Sequence, residues 1–294
     1  MPLPTISVII LSFNRREALG RTLREVLAQV WARDAQVIVV DNASADGSAH
    51  MVRETFPTVE LVGLAMNTAI AGFNIGAQQA RGDILLILDD DSWPDPGAIE
   101  SAIAVFEADP RIGGLMLHRR HPRTHGYEWP FDQPSLKGPQ HNWPDMGCGN
   151  MVRTEAWRKV GGYEVGYFLY RNDTDLALKL LNAGYDVVFD PALLVWHDSF
   201  IVTKKSDRWL HLSTRNWMWL AKRHARGWTR FKGMLLGWLH SHRLAGFRFS
   251  GHAATLRGML QGVFRNAPPM PPGVVARNEH YWRLLALKMR YRQR

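Results

Sequence analysis

The stretch "ILLILDDDSWPDP" (84–96) decides how the chain reads. Aliphatic residues Ile84 to Leu88 run straight into Asp89, Asp90 and Asp91, followed by Trp93 and two prolines. A short apolar run bounded by turn formers is a buried strand. Three adjacent carboxylates at its end repel one another, so either they stand in water as a solvated acidic turn or a cation arrives among them. Side chains alternate along a strand, so Asp89 and Asp91 share a side. Two hard oxygen ligands on one side suit Mg²⁺ or Mn²⁺ carrying a diphosphate.

Outward from this strand the pattern repeats. "ISVIIL" (6–11), "QVIVVD" (36–41) and "VELVGL" (59–64) read as strands. "ALGRTLREVLAQV" (18–30), a segment near 48–55 and "AGFNIGAQQA" (71–80) read as the helices between them. Strand alternating with helix predicts an α/β fold with a doubly wound, mostly parallel sheet. Ligands bind such sheets beyond the carboxyl ends of the strands, and Asn14, Asp41 and Asp89–Asp91 all fall there. Residues 118–146 lose all periodicity and are rich in Pro, His and Trp, as a functional loop or an aromatic packing layer would be. Beyond it, "DTDLALKLLNAG" (173–184) predicts an amphipathic helix closed by Gly184, and "YDVVFD" and "LLVWHDS" predict two further strands.

Charge divides the 294 residues unevenly. From Lys204 onward there are 19 Lys/Arg and 2 Asp/Glu, a balance of +17, while residues 1–203 carry 17 Lys/Arg and 25 Asp/Glu, a balance of −8. The expectation is a catalytic α/β domain over 1–203 and a basic, Trp-rich helical region over 204–294. Basic residues among aromatics and leucines suit an anionic membrane surface first, a helical subdomain with a solvated basic face second, and nucleic acid least. No basic leader and no apolar run of ~18 residues is present, so a cytoplasmic protein, peripheral on the inner membrane face, is expected. Cys148 is the only cysteine, which excludes an internal disulfide and leaves no partner thiol for zinc; it reads as a small buried residue.

Two further positions carry chemistry or a bland alternative. Asp173 and Asp175 open a helix, where a carboxylate caps free N–H groups or favours the dipole whatever the function; Asp173 is a general base if it projects into the cleft. His197 ends a strand, and becomes a third metal ligand if that strand runs beside the aspartate-bearing one.

Together these segments resemble family 2 glycosyltransferases, the inverting enzymes with the GT-A fold, including rhamnosyl- and galactofuranosyl-transferring members. The likeness spans roughly residues 4–200: "ISVIILSFNRREALGRTL", "VIVVDNASADGS", "NTAIAGFNIGAQQARGDILLILDDDS" and "GGYEVGYFLYRNDTDLALKLLNAGYDVVFDP" follow the order of that family's segments. The resemblance implies a nucleotide-diphosphate sugar donor of UDP, dTDP or GDP type and a lipid-linked or glycan acceptor. It places Ser12, Phe13, Asn14, Asp41, Asn67 and Asp89 around the nucleotide, and Asp89, Asp91 and His197 around Mn²⁺ or Mg²⁺. Asp173 falls on the family's general base. Two positions depart from the pattern: Asn172 stands where a second acid is usual, and Ala69 replaces a frequent glycine, which is comfortable only at negative φ. A sugar-phosphate nucleotidyltransferase shares the layout but needs a glycine-rich loop after the first strand, and "LSFNRRE" has no glycine. A non-catalytic membrane-binding relative is the other alternative, with Asn172 in its favour.

Overall fold

The structure is a computed structural model describing residues 4–30, 35–199 and 205–291. Strands β1 (Ile6–Ser12), β2 (Gln36–Asp41), β3 (Glu60–Gly63) and β4 (Ile84–Asp89) lie parallel in the order β3-β2-β1-β4. The chain builds outward from β1 to β3, then returns to the far side of β1 as β4. That reversal opens a crevice at the carboxyl ends of β1 and β4, where ligands bind in such sheets. Register lines the crevice up: Ser12 lies opposite Asp41 and Leu11 opposite Asp89.

Alternation along the strands supplies two cores. Val8, Ile10, Leu86 and Leu88 pack with helices α1 (Arg16–Val30), α2 (Ser48–Thr55) and α4 (Ala98–Ala108). Ile9, Leu85 and Ile87 face the other way, onto α3 (Ala71–Gln79), α5 (Thr154–Val160) and α6 (Asn172–Asn182). Helix α3 comes unusually near the sheet, because a Cβ at Gly72 would stand 2.3 Å from Leu11 Cδ1. The doubly wound expectation holds for this half.

The other half is mixed. β7 (Asn150–Arg153) lies antiparallel between β4 and β6 (Ile112–Arg120); β8 (Asp186–His197) runs parallel to β6, and the short β5 (Ser92–Pro94) closes the edge antiparallel to β8. The sequence reading expected two strands where the single strand β8 runs. Its ladder breaks and resumes: Leu117 pairs with Asp190, but the next residue, His118, pairs with Leu194. Pro191 has no N–H for a ladder, and the Ala192 N–H is taken by Asp190 Oδ1 at 2.9 Å, so three residues bulge out before pairing resumes. The aperiodic loop is packed rather than loose: Leu136, Trp143 and Met146 are buried in the second core.

Helices α7 (Asp207–His224), α8 (Gly227–Ala245), α9 (Phe249–Phe264) and α10 (Asn278–Arg290) form the basic third. Helices α7 and α8 pack through a small residue, since a Cβ at Gly237 would lie 1.6 Å from Trp217 Cδ1. The expected boundary at 203/204 lies outside the described residues. Among those described, no helix is long and apolar enough to cross a membrane.

A fully buried carboxylate helps fasten the basic helices to the sheet region, beside Glu164 on Arg223 and Asp145 on Lys288. Asp175, fully buried, accepts hydrogen bonds from Arg223 Nε at 2.9 Å and bonds His224 Nε2 at 2.8 Å, with Lys179 Nζ 3.5 Å away. Burial alone would raise its pKa, but Lys179, His224 and Arg223 outweigh it and hold the group far below the ordinary carboxylate range. Asp175 is therefore a structural ion, not merely a dipole-favoured helix start. Because its folded pKa is depressed, its stabilisation is present above the unfolded value near ~3.9 and is lost as pH falls toward the folded value. Asp175→Ala leaves buried cations unpaired and is expected to lower stability by ~3–5 kcal/mol in urea unfolding at neutral pH; a loss below ~1 kcal/mol would show that the cluster does not hold the helices.

Candidate active site

The three aspartates that raised the charge problem have three different surroundings. Asp90, 5% exposed, accepts from the Phe13 N–H and from Arg15 Nη1, both at 3.3 Å, and so ties the end of β4 to the β1–α1 loop. Burial pushes its pKa up to about 6, against the pull of Arg15. Asp91, 4% exposed, accepts from Arg15 Nη1 at 2.7 Å through Oδ2, while its buried Oδ1 faces His197. Burial opposes its ionisation, but His197 and Arg15 together hold its pKa below the ordinary value. Asp89 has 47% of its side chain exposed; desolvation and the nearby Asp91, Asp173 and Asp90 carboxylates push it up to about 7, against His197. A solvated acidic turn therefore describes neither Asp90 nor Asp91.

His197 reaches them because β5 leaves the aspartates and pairs with β8, Ser92 opposite His197. Its Nε2 stands 3.3 Å from Asp91 Oδ1 and 3.9 Å from Asp89 Oδ2. Its Nδ1 bonds Glu128 Oε1 at 2.7 Å. Burial alone would lower the imidazole pKa, but Asp91 and Glu128 raise it well above the ordinary value. Glu128 answers in kind: burial would raise it, yet the bond from His197 and the Arg119 guanidinium bring it down to about 2. A carboxylate behind one ring nitrogen and acidic oxygens before the other is how a ligating histidine is oriented toward a cation. Asp91 Oδ1, the open Asp89 carboxylate and His197 Nε2 form a hard O, O, N donor set, and these residues fit a divalent ion.

Cys148, expected to be a small buried residue, is partly exposed. Asp89, Cys148 and His197 bring ligand atoms within 4.8 Å of one another. Burial raises the thiol to about 12, so sulfur stands there as neutral S–H.

Asp173 sits in the first turn of α6, half-buried, accepting from Tyr163 Oη at 2.5 Å and Asn150 Nδ2 at 3.2 Å through the same oxygen, Oδ1. Burial raises its pKa above the ordinary value, against the Tyr163 hydrogen bond and Arg119. Its charge also raises the Asp89 pKa, so the two carboxylates lie near enough to interact. Asn172 turns inward, 1% exposed, donating to the Glu164 carbonyl at 3.4 Å; a carboxylate in its place would face an acceptor.

The residues assigned to a nucleotide spread along the crevice rim. Phe13 is 42% exposed, Ser12 and Asp41 are buried, and Asp41 Oδ1 has no partner. Asn14 bridges two loops, donating its N–H to Ser44 Oγ and accepting from the Ala45 N–H. Asn67 Oδ1 accepts from the Ala69 N–H at 2.8 Å. Ala69 does not meet the negative-φ condition: its φ is 50°, a left-handed conformation held by Asn67 and by Asn42 Nδ2 on its carbonyl. Sequence reasoning missed Arg15, Glu128 and Asn150. Arg15 was legible as a cation just past a strand end, whereas Glu128 lies in the aperiodic loop and carried no signal.

A profile of Glycosyl transferase family 2 matches residues 7–164, more than half the chain. The chain belongs to that family. The matched segment runs from β1 to just past Tyr163, so Asp173, His197 and the basic helices of this family 2 glycosyltransferase lie beyond it. It is 27% identical over 268 residues to N-acetylglucosaminyl-diphospho-decaprenol L-rhamnosyltransferase of Mycobacterium tuberculosis, covering 76% of this chain and 86% of that one. In three dimensions it resembles mannosyltransferase PcManGT from Pyrobaculum calidifontis, solved with GDP-Man and Mn²⁺, at a TM-score of 0.59 and 20% identity, over 97% of this chain and 81% of that one. It also resembles GalNAc-T7 with UDP, GalNAc and Mn²⁺, at a TM-score of 0.67 and 15% identity, over 98% of this chain and 57% of that one. These likenesses establish a GT-A type fold with a helical C-terminal part.

Proposed function

We propose that this glycosyltransferase moves a sugar from a nucleotide-diphosphate donor to a hydroxyl of a lipid-linked or polysaccharide acceptor, with inversion. The observation that carries the reading is that Asp89, Asp91 and His197 converge at the end of β4, with His197 Nε2 3.3 to 3.9 Å from the two carboxylates and Asp173 near enough to raise the Asp89 pKa. Asp91, His197 and Asp89 would hold Mn²⁺ or Mg²⁺. Bound there, the cation offsets the negative charge of the departing diphosphate.

The chain's own groups do the rest. Phe13 offers a ring to the base, and the orphaned Asp41 Oδ1 accepts one of its N–H groups. Ser12, Asn14 and Asn67 border the nucleotide, the last two as shapers of the rim. Asp173 takes the acceptor hydroxyl proton as that oxygen bonds to the anomeric carbon; the bond to the diphosphate breaks and its electrons leave with the phosphate oxygen. Tyr163 and Asn150 fix Oδ1, and the raised pKa brings the base nearer neutrality. The M. tuberculosis relative, named for a diphospho-decaprenol acceptor, supports a lipid-linked acceptor.

Residues 1–203 would then hold donor and catalytic groups, and 204–294 would meet an anionic membrane. Trp228, Phe231, Leu235 and Leu239 make an exposed apolar stripe on α8, and Phe249, Leu256, Leu260 and Phe264 make another on α9. Arg230, Lys232, Arg248 and Arg257 flank them, the pattern of an interfacial helix pair.

Calorimetric titration with UDP, dTDP and GDP, with and without Mn²⁺, is expected to give metal-dependent binding of one nucleotide that Asp91→Ala abolishes. Binding of none would end the catalytic reading. Asp173→Asn is expected to leave that affinity unchanged and to cut kcat by ~10²–10⁴-fold. In the wild type kcat/KM should fall as pH drops through a midpoint above the ordinary carboxylate range. Tyr163→Phe, which removes a bond favouring the charged form, should move that midpoint higher. Near-normal turnover of Asp173→Asn would remove the base assignment. Full-length protein is expected to sediment with phosphatidylglycerol vesicles and Phe231→Asp/Phe249→Asp to stay in solution; equal sedimentation of the two would clear these helices of membrane contact.

A further inference from the structure

A cavity of about 560 Å³ lies between the aperiodic loop and helices α7, α8 and α10, outside the donor crevice. Its walls mix aromatic and apolar side chains, Trp129, Trp209, Trp217 and Leu244, with the cations Arg171, Lys205 and Arg243, and Arg171 and Lys205 lie over tryptophan rings. No Asp or Glu lines it. Lys288, also on the wall, is already engaged by Asp145. Among the described residues, no carboxylate lies within ion-pair distance of Arg171, Lys205 or Arg243. The Arg171 guanidinium lies 4.6 Å from the Trp217 ring centre, and its Nε is buried without a hydrogen-bond partner. A desolvated guanidinium short of acceptors is costly, and its planar fork matches phosphate oxygens.

Position gives the cavity its meaning. Arg171 precedes Asp173 by two residues, so their Cα atoms are at most ~7 Å apart. Trp129 follows Glu128, which bonds His197. The cavity thus adjoins the cleft on the side of the proposed base. Helix α8 links it outward: Leu236, His240, Arg243 and Leu244 face the cavity, while the exposed stripe Trp228, Phe231, Leu235 and Leu239 lies ~100° around the same helix.

We propose that this cavity seats the phosphate-bearing end of the acceptor's lipid, with Arg171, Lys205 and Arg243 on the phosphate oxygens and the tryptophans against the first carbons of the chain. The acceptor sugar, attached beyond the phosphate, then lies toward Asp173. This rests on the reading of the cleft as a glycosyl-transfer site with a lipid-linked acceptor. The chemistry required is an anion joined to an apolar chain; either half alone leaves part of the wall unused.

The test uses tryptophan fluorescence of the full-length protein titrated with farnesyl diphosphate, pyrophosphate or farnesol. Each titration is run with the donor site filled by whichever nucleotide binds, with Mn²⁺. Farnesyl diphosphate is expected to bind at least ~10-fold more tightly than either fragment. Arg171→Gln and Arg243→Gln should each weaken it by ~10-fold or more, with nucleotide affinity unchanged, because a charge-assisted hydrogen bond is worth about that factor. Leu244→Trp, which fills the apolar part and keeps every charge, should weaken it too and guards against a misfolded arginine variant. Farnesyl diphosphate binding no better than pyrophosphate would mean a plain anion site and overturn the proposal. Binding equal to farnesol, or untouched by Arg243→Gln and Leu244→Trp, would overturn it as well. Should no nucleotide bind, the transfer reading fails separately, and the same titrations without nucleotide still judge the cavity.

Discussion

The geometry of the cleft depends on a carboxylate that never enters it. Asp175 is sealed among Arg223, His224, Lys179 and Tyr167, and it shares the first turn of α6 with Asp173. Residues two apart on a helix point about 200° away from each other. Fixing Asp175 toward α7 therefore turns Asp173 toward the cleft. The ion cluster sets the rotation of α6 in one step, and Tyr163 and Asn150 only refine where the Asp173 oxygen lies. Buried ion clusters are poor sources of net stability, so the role that suits this one is to define an orientation.

A second constraint works on the opposite wall. Three consecutive carboxylates are tolerable because the fold gives each a different neighbour: Asp90 takes backbone and Arg15, Asp91 takes Arg15 and faces His197, and Asp89 faces the cleft. Arg15 supplies the positive charge from the first loop, so the β4 end is anchored to the β1 end before any ligand is considered. What is left over, one Asp91 oxygen facing His197 and one open Asp89 carboxylate, is the part of the charge problem the chain does not solve for itself.

Much of this was legible in the sequence, and the reasons divide cleanly. The parallel half of the sheet was readable because each strand is a β-branched or leucine run bounded by turn residues, and the positions past their ends fell out directly. Asp89 ends β4 and Asp173 opens α6, so counting placed those two, while Asp91 follows in the turn before β5. The mixed half was not readable. β7 is four residues long, β5 is three, and β8 carries a proline-led bulge that looks like an interruption. Glu128 was invisible because it lies in the aperiodic loop and the histidine it orients is 69 residues away. The aperiodic loop was left open between packing and lining a substrate groove; the structure shows packing, with Trp143 in the core, and puts Trp129 on the wall of a cavity.

The pairing of β5 with β8 has a consequence for which changes this chain can absorb. Successive side chains on β8 point to opposite faces of the sheet, and His197 opposes Ser92 only because three paired residues separate it from the bulge. An insertion or deletion upstream, around Pro191, is taken up by backbone that is already out of the ladder. A one-residue insertion between Leu194 and His197 would carry the imidazole through the sheet and bring the Trp196 indole in its place, and a deletion would bring Asp198. Over those four positions the number of residues is fixed more strictly than the identity of most of them, so the segment accepts substitution but not a change of length.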